Sequence, residues 1–351
     1  MKKKLSLIGL LIFWIGYSGI SQTYLIQVRP LGSKVYGYAN LKGEIIIDAK
    51  FRKCTDFSED GFAAIYDSDK KQFYFINEKG DPLATEASNF KLKDILGFGF
   101  RSFIDGMAAI KQGDKWGFLN TSGKVAVPVK YDDISPFDGG YSTAQSLGKF
   151  YIIDKQGKET AVEVPGLVDL RTFSEKLAPF KTADGKFGFV GENGKVAIEA
   201  KYLSVGYFSD GLAWAKNTDE KIGYINSKGE WVIQPQFSNA KDFDAESGMA
   251  RIKTSDKWAY VNKKGEIINI NDTDLWGDFS NGLAKGRRSE LVGFFNNKGE
   301  WVIQPQFDAV RDFKNGYAAA KKADKWGLID KKGSWVIQPS FDDISDMIIL
   351  K

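Results

Sequence analysis

Histidine is absent from the 351 residues, and cysteine occurs once, at position 54. Without an imidazole there is no Ser-His or Cys-His nucleophile, no histidine base and no His-bearing metal site, which excludes most familiar hydrolase machinery. A single Cys54 forms no internal disulfide, so packing and backbone pairing must hold the fold. Cysteine-rich metal spacing, a phosphate-cradling glycine loop and a dinucleotide fingerprint are missing too, and the sequence implies neither cofactor nor metal. Net charge is small: 49 Lys and Arg face 45 Asp and Glu, a formal +4. Nucleic acid needs a basic footprint to neutralise phosphates, so it is not an expected partner.

Long hydrophobic runs are also scarce. One extends from Leu5 to Ile20, preceded by Lys2, Lys3 and Lys4, with small Gly19 and Ser21 placed for cleavage before Gln22. That is the layout of a secretory signal peptide over residues 1–21. The run is shorter than the roughly 20 residues a membrane-spanning helix needs. No other segment approaches spanning length, so no transmembrane segment is expected after cleavage. Cleavage removes three lysines and no acids, taking the formal charge from +4 to +1. The expected location is the periplasm, the cell surface or the extracellular space.

What the chain does contain is glycine, 37 residues of it, in a repeating phrase. An apolar or aromatic residue is followed by Gly, an aromatic, an aliphatic, Asn or Asp, two variable residues and a second Gly. Trp116-Gly117-Phe118-Leu119-Asn120 closes at Gly123, Ile222-Gly223-Tyr224-Ile225-Asn226 at Gly229, and Trp326-Gly327-Leu328-Ile329-Asp330 at Gly333. The first Gly position is filled in turn by Gly37, Tyr74, Gly117, Tyr151, Gly188, Gly223, Ala259, Gly293 and Gly327, which gives nine units and a period near 35. A fixed period of this length signals an array of supersecondary units. Asx with Gly three residues on suits a type I turn followed by a residue of positive φ, the chemistry of a β-hairpin. A return strand follows, as in Glu230 to Phe237, and its proline is expected to end it. Then comes a Phe with Gly and Ala a few residues later: Phe57, Gly61 and Ala63; Phe208, Gly211 and Ala213; Phe313, Gly316 and Ala318. Each unit therefore reads as a three-stranded antiparallel meander, and no segment of the mature chain shows sustained helical periodicity.

These residues resemble the WG repeat, a bacterial module written Lys-Trp-Gly-aromatic-aliphatic-Asp-Lys-Lys-Gly-Lys-x-Val-Ile-Pro, then an aromatic and Phe-x-x-Gly-x-Ala. Lys115 to Pro128 and Lys325 to Pro339 carry the closest match, within a region spanning residues 35–345. Tyr74 and Tyr151 depart from the pattern, and irregular stretches follow their turns. The resemblance implies an interaction module rather than an enzyme class. The expected fold is all-β: nine three-stranded meanders in an open, superhelical, solenoid-like array, with residues 22–34 as a capping strand and linker and 346–351 as a C-terminal tail. The alternative is a closed, β-propeller-like ring in which Tyr24 to Val28 pairs beside the last hairpin.

Function must then come from displayed surface. Trp231, Trp301 and Trp335 on return strands, with Trp214 and Trp276, are the candidate binding residues, since Trp anchors binding hot spots. Trp116, Trp258 and Trp326 start hairpins and read as core. Asp132-Asp133, Asp342-Asp343 and Asp308 read as turn caps; a carboxylate pair serving as the acid and base of a glycan hydrolase is the enzyme alternative. Asp67-Ser68-Asp69 and Asn271 to Asp274 lack the Gly and Glu of a calcium loop. Lys285, Arg287 and Arg288 form a basic tip. No catalytic residue is assigned. The expected function is an exported, non-catalytic scaffold that binds a protein, peptide or cell-wall glycan, the remaining alternative being a structural spacer.

Overall fold

The computed structural model describes residues 24–93, 101–270 and 272–350. The signal-segment reading concerns residues 1–21 and lies outside them. All regular structure among the described residues is β, with no helix. No helix among them is long and apolar enough to cross a membrane, which leaves β-barrels unaddressed.

The hairpins form where the Asx-Gly spacing places them. The turn glycines Gly43, Gly80, Gly123, Gly157, Gly194, Gly229, Gly265, Gly299 and Gly333 have φ between 74° and 83°, a region that L side chains rarely enter. At the sixth hairpin the Asn226 side-chain oxygen accepts from the Lys228 and Glu230 amides, while Gly229 N–H donates to the Asn226 carbonyl.

Each complete sheet has four strands rather than three. In the sixth unit these are a lead strand Ser204–Val205, an Ala strand Ala213–Lys216, a Gly strand Ile222–Ile225 and a return strand Trp231–Phe237, antiparallel in that order. The lead strand arises because the Phe-x-x-Gly segment is itself a hairpin. Ser209 bridges Leu212 across Asp210-Gly211, both at positive φ (54° and 81°), the signature of a two-residue type I′ turn. Asp105-Gly106, Asn281-Gly282 and Asn315-Gly316 repeat the geometry.

The return proline does not end its strand. The strand Trp231–Phe237 runs through Pro235 because it is the sheet's edge and bulges there: Ile222 faces Phe237 while Tyr224 faces Ile233. Proline is tolerated at edges and bulges, where no amide donor is needed. The bulge explains the repeated Gly. A Cβ on Gly223 would sit 2.3 Å from the Ile233 carbonyl oxygen, and one on Gly293 2.3 Å from that of Ile303. Where Gly is replaced, the bulged strand is missing. After Tyr74 only an isolated Ile76–Pro82 bridge remains; after Tyr151 the strand is Glu159–Ala161; after Ala259 it is Ile267–Ile268. Units two and four are thus irregular as their sequences indicate, and unit seven joins them.

Neighbouring units are bolted together by aromatic pairs. The residue after the Gly position packs on the Phe of the next unit: Tyr38 on Phe57, Phe75 on Phe103, Phe118 on Phe137, Phe189 on Phe208, Tyr224 on Phe243, Tyr260 on Phe279 and Phe294 on Phe313, with centroids 4.6–5.0 Å apart. Tilted and edge-on pairs at this spacing add about 0.5–1.5 kcal/mol each beyond burial. Ile152 with Phe173, and Leu328 with Met347, fill the same place within their clusters.

The two ends of the array meet. Strand Tyr24–Pro30 is the Ala strand of the first unit, and Val28 and Arg29 pair with Ile344 and Asp343 of the last return strand, Trp335–Ile344. Tyr24 and Leu25 pair with Ile349 and Ile348. Ser345 N–H donates to the Gln27 carbonyl, as Arg311 N–H does to Ala319 within the ninth unit. The terminal strands, expected as free caps, are paired with each other. Both terminal edges carry unpaired backbone groups, and they satisfy each other in one eight-stranded sheet.

Candidate functional site

The Phe-x-x-Gly turns of successive units lie side by side and are stitched mainly by carboxylates; those at Asp60 and Asp244 are not type I′, since neither residue has positive φ. Asp60 accepts from Gly106 N–H, Asp105 from Gly140, Glu175 from Gly211, Asp244 from Gly282 and the Asn281 amide oxygen from Gly316, at 2.7–3.0 Å. Hairpin-tip lysines brace the row, Lys155 on Asp105 at 2.6 Å and Lys263 on Asp210 at 2.5 Å. At this end of the sheets a cavity of about 690 Å³ opens between the second, third and fourth units and the closing seam. Buried Phe57, Phe103 and Phe137 line it together with Asp56, Asp60, Asp105 and Asp138, against Arg101 and Lys314. Burial raises the Asp56 carboxyl above its ordinary range; the Ser345 hydroxyl opposes the shift and Asp346 adds to it. Lys314 and Arg311 favour its charged form. Cys54 also borders the cavity. Its thiol is pushed up by burial and is held by the Gln27 side-chain amide at 3.0 Å. None of this lining was anticipated from the sequence; the Asp-Gly and Asn-Gly dipeptides, which mark two-residue hairpins, were the available signal.

The five candidate tryptophans are all half-buried. Trp231 meets Tyr202 of the preceding unit edge-on at 5.6 Å, and Trp335 meets Phe307 likewise at 5.4 Å. Trp301 packs on Phe295 at 5.7 Å with the Arg288 guanidinium over its ring. The Trp214 indole hydrogen-bonds the Asp242 carboxylate. Trp276 packs on the cluster around Tyr260 and Ile270, its indole N–H buried with no partner among the described residues. The structure thus brings these rings to boundaries between units rather than together on one open face. Trp116, Trp258 and Trp326, read as core, are equally half-buried and lie under cations: Lys93 and Lys111 over Trp116, Arg251 over Trp258, Arg311 over Trp326.

The acidic pairs mostly bond groups distant in sequence rather than the nearby amides expected of local turn caps; only Asp343 accepts from an adjacent amide, that of Ile344. Asp132 accepts from the Leu147 amide and pairs with Lys115, which together hold its carboxyl below the usual range. Asp342 accepts from Gly32 N–H, and Asp343 from Arg311 and the Tyr36 hydroxyl. The basic tip is matched within the chain: Lys285 with Asp312, Arg287 with Asp274, Arg288 with Asp272. Among the described residues no group of three or more acids or thiols is arranged to hold a metal ion.

Comparison with solved structures supports a repeat β-fold. A crystal structure of a eukaryotic initiation factor is similar over 94% of this chain and 98% of that one, with a TM-score of 0.62 at 13% identity. The WD40 β-propeller domain of Doa1 aligns over 68% and 85% at 13% identity with a TM-score of 0.33, and BamB from Moraxella catarrhalis over 79% and 88% at 14% with 0.39. No curated protein matches the chain. The WG containing repeat profile matches residues 36–70, 99–116, 116–150, 187–221, 222–258, 293–326 and 326–347, more than half the sequence. No match begins at the Tyr74, Tyr151 or Ala259 unit, the three that lack the Gly demanded by a bulged return strand. By that profile, and by the packing reason for its Gly, the chain belongs to the WG containing repeat family.

Proposed function

We propose that the protein is an exported, non-catalytic scaffold whose nine units close into a propeller-like ring, and that the mouth formed by the Phe-x-x-Gly turns holds a basic peptide segment of a protein partner. The observation that carries the reading is the cavity of about 690 Å³, assembled from chain segments far apart in sequence, Cys54 to Asp60, Arg101 to Asp105, Phe137 to Gly139, Lys314 and Ile348. Convergence of distant loops on one concave surface is how a rigid repeat body builds a binding site. Carboxylates outnumber cations there, which gives a basic segment charge to contact above a rigid floor of buried Phe57, Phe103 and Phe137. Repeat arrays suit this role because each unit adds similar surface.

Fluorescence anisotropy with a labelled Lys/Arg-rich peptide, beside a Glu/Ser-rich control, tests it. Saturable binding of the basic peptide that Asp138→Lys weakens at least about tenfold is expected, since one lost charge contact is worth on the order of 1.4 kcal/mol. Equal affinity for both peptides, or no effect of the variant, would reject the reading. Export is tested separately, by the N-terminal mass of the mature protein and its recovery outside the cytoplasm.

A further inference from the structure

Trp214, Arg251 and Lys285 hold one place in three successive Ala strands, each cross-paired with the aromatic of its own Gly strand, Tyr224, Tyr260 and Phe294. From that place Arg251 pairs with Asp278 of the next unit at 2.8 Å, and Lys285 with Asp312 at 3.0 Å. Those aspartates directly precede the next unit's Phe, and Asp242 precedes Phe243 in the same way. Asp242 meets Trp214 instead, which supplies an indole hydrogen bond but no positive charge. Gly206 leaves room for that ring, since a Cβ there would sit 2.1 Å from the indole nitrogen. Lys241 lies close enough to favour the charged form of Asp242, yet Asp242 has no ion pair among the described residues. The carboxylate is thus oriented without the counterion that its two counterparts have.

Asp242 lines a cleft of about 360 Å³ between the fifth, sixth and seventh units, above buried Phe173 and Phe208. Tyr207 borders it, 36% exposed and hydrogen-bonded through its hydroxyl to Thr172. At this place, directly before Phe208, the other eight units carry Asp, Ser, Pro or Thr and no aromatic. The remaining hydroxyls of the lining are engaged: Ser174 donates to the Phe208 carbonyl at 2.7 Å and Ser209 to the Phe243 carbonyl at 2.6 Å. Arg171, near enough to Tyr207 to oppose the rise that burial gives its hydroxyl, is already paired with Asp169 at 3.4 Å. Asp242 is open to solvent, but the walls around it strip enough water from its carboxyl to push it up to about 6; Lys241 opposes the shift and Asp278 adds to it. A carboxylate desolvated in this way, standing in a cleft beside an exposed ring, suits a cation with carbon attached.

We propose that this cleft binds an alkylammonium group, its charge on Asp242 and its carbon chain against the Tyr207 ring. The site is separate from the mouth proposed above, and its failure would leave that reading standing. Titration of the isotope-labelled protein with n-butylammonium, Nα-acetyl-lysine methylamide and n-butanol, at constant ionic strength and followed by the indole N–H resonance of Trp214, tests it. n-Butylammonium shifts the resonance saturably and n-butanol does not. Asp242→Asn, which keeps an oxygen for the indole to bond, loses at least about tenfold in affinity, and Tyr207→Ala loses about threefold or more. Asp312→Asn and Asp138→Lys leave the affinity unchanged. Binding of the lysine derivative as well assigns the group to a lysine side chain of a peptide; binding of n-butylammonium alone assigns it to a free amine. No saturable shift with either cation, an equal response to n-butanol, or unaltered affinity in Asp242→Asn would each overturn the proposal.

Discussion

Gly223 shows at the scale of one residue why the repeat has the sequence it has. Its φ is ordinary; what it supplies is the absence of a Cβ where the Ile233 carbonyl passes over it. Gly223→Ala is therefore expected to lower stability by about 1–3 kcal/mol through overpacking against backbone that has no rotamer to yield. Chemical denaturation reads this directly, and an unchanged midpoint would mean the bulge is dispensable. Asp56 gives a second residue-scale test. Its folded carboxyl titrates above the unfolded one, so the native state holds the extra proton between the two values. Unfolding free energy should then fall as pH rises from about 4 through that interval, and Asp56→Asn should flatten the fall. A rise over the same interval in the parent, undiminished in the variant, would show the sign to be wrong. The turn glycines and Asx residues were legible in the sequence, because positive φ and side-chain capping are local. The Gly223 position was visible as a pattern but not as a reason, since the clash it avoids involves a residue ten places on.

Strands carry the next lesson. The Gly and return strands were readable from their composition; the lead strands, two residues long except for Leu167–Leu170 of the fifth unit, have no periodicity to detect, and the Asp-Gly and Asn-Gly turns are what announce them. Proline misled for a related reason: it forbids a ladder bond, but an edge strand with a bulge has none to lose at that point. The tryptophans were harder still. Whether Trp231 is exposed depends on Tyr202 of another unit, which no local pattern encodes. The seam is the element with the clearest energetic prediction. Met347 is fully buried and occupies the place that Phe137, Phe243 and Phe313 hold elsewhere. Met347→Ala should destabilise the whole protein by about 2–5 kcal/mol in a single cooperative transition. A free C-terminal cap would instead tolerate the change or unfold as a separate early step.

For the molecule as a whole, seven of the nine unit boundaries press a Gly-strand aromatic on the next unit's Phe, and the other two place Ile152 with Phe173 and, at the seam, Leu328 with Met347. The first and last units share a sheet. The sequence placed Tyr24 to Val28 in the frame of an Ala strand, which was the available clue to closure; strand and unit counts unlike those of common propellers pointed the other way. Small-angle scattering on the mature protein tests the central claim most directly. A closed ring of this length should give a radius of gyration near the compact value of about 20 Å, modestly raised by a disc shape. A radius above about 30 Å with an extended pair-distance tail would mean an open spiral, and would contradict the account.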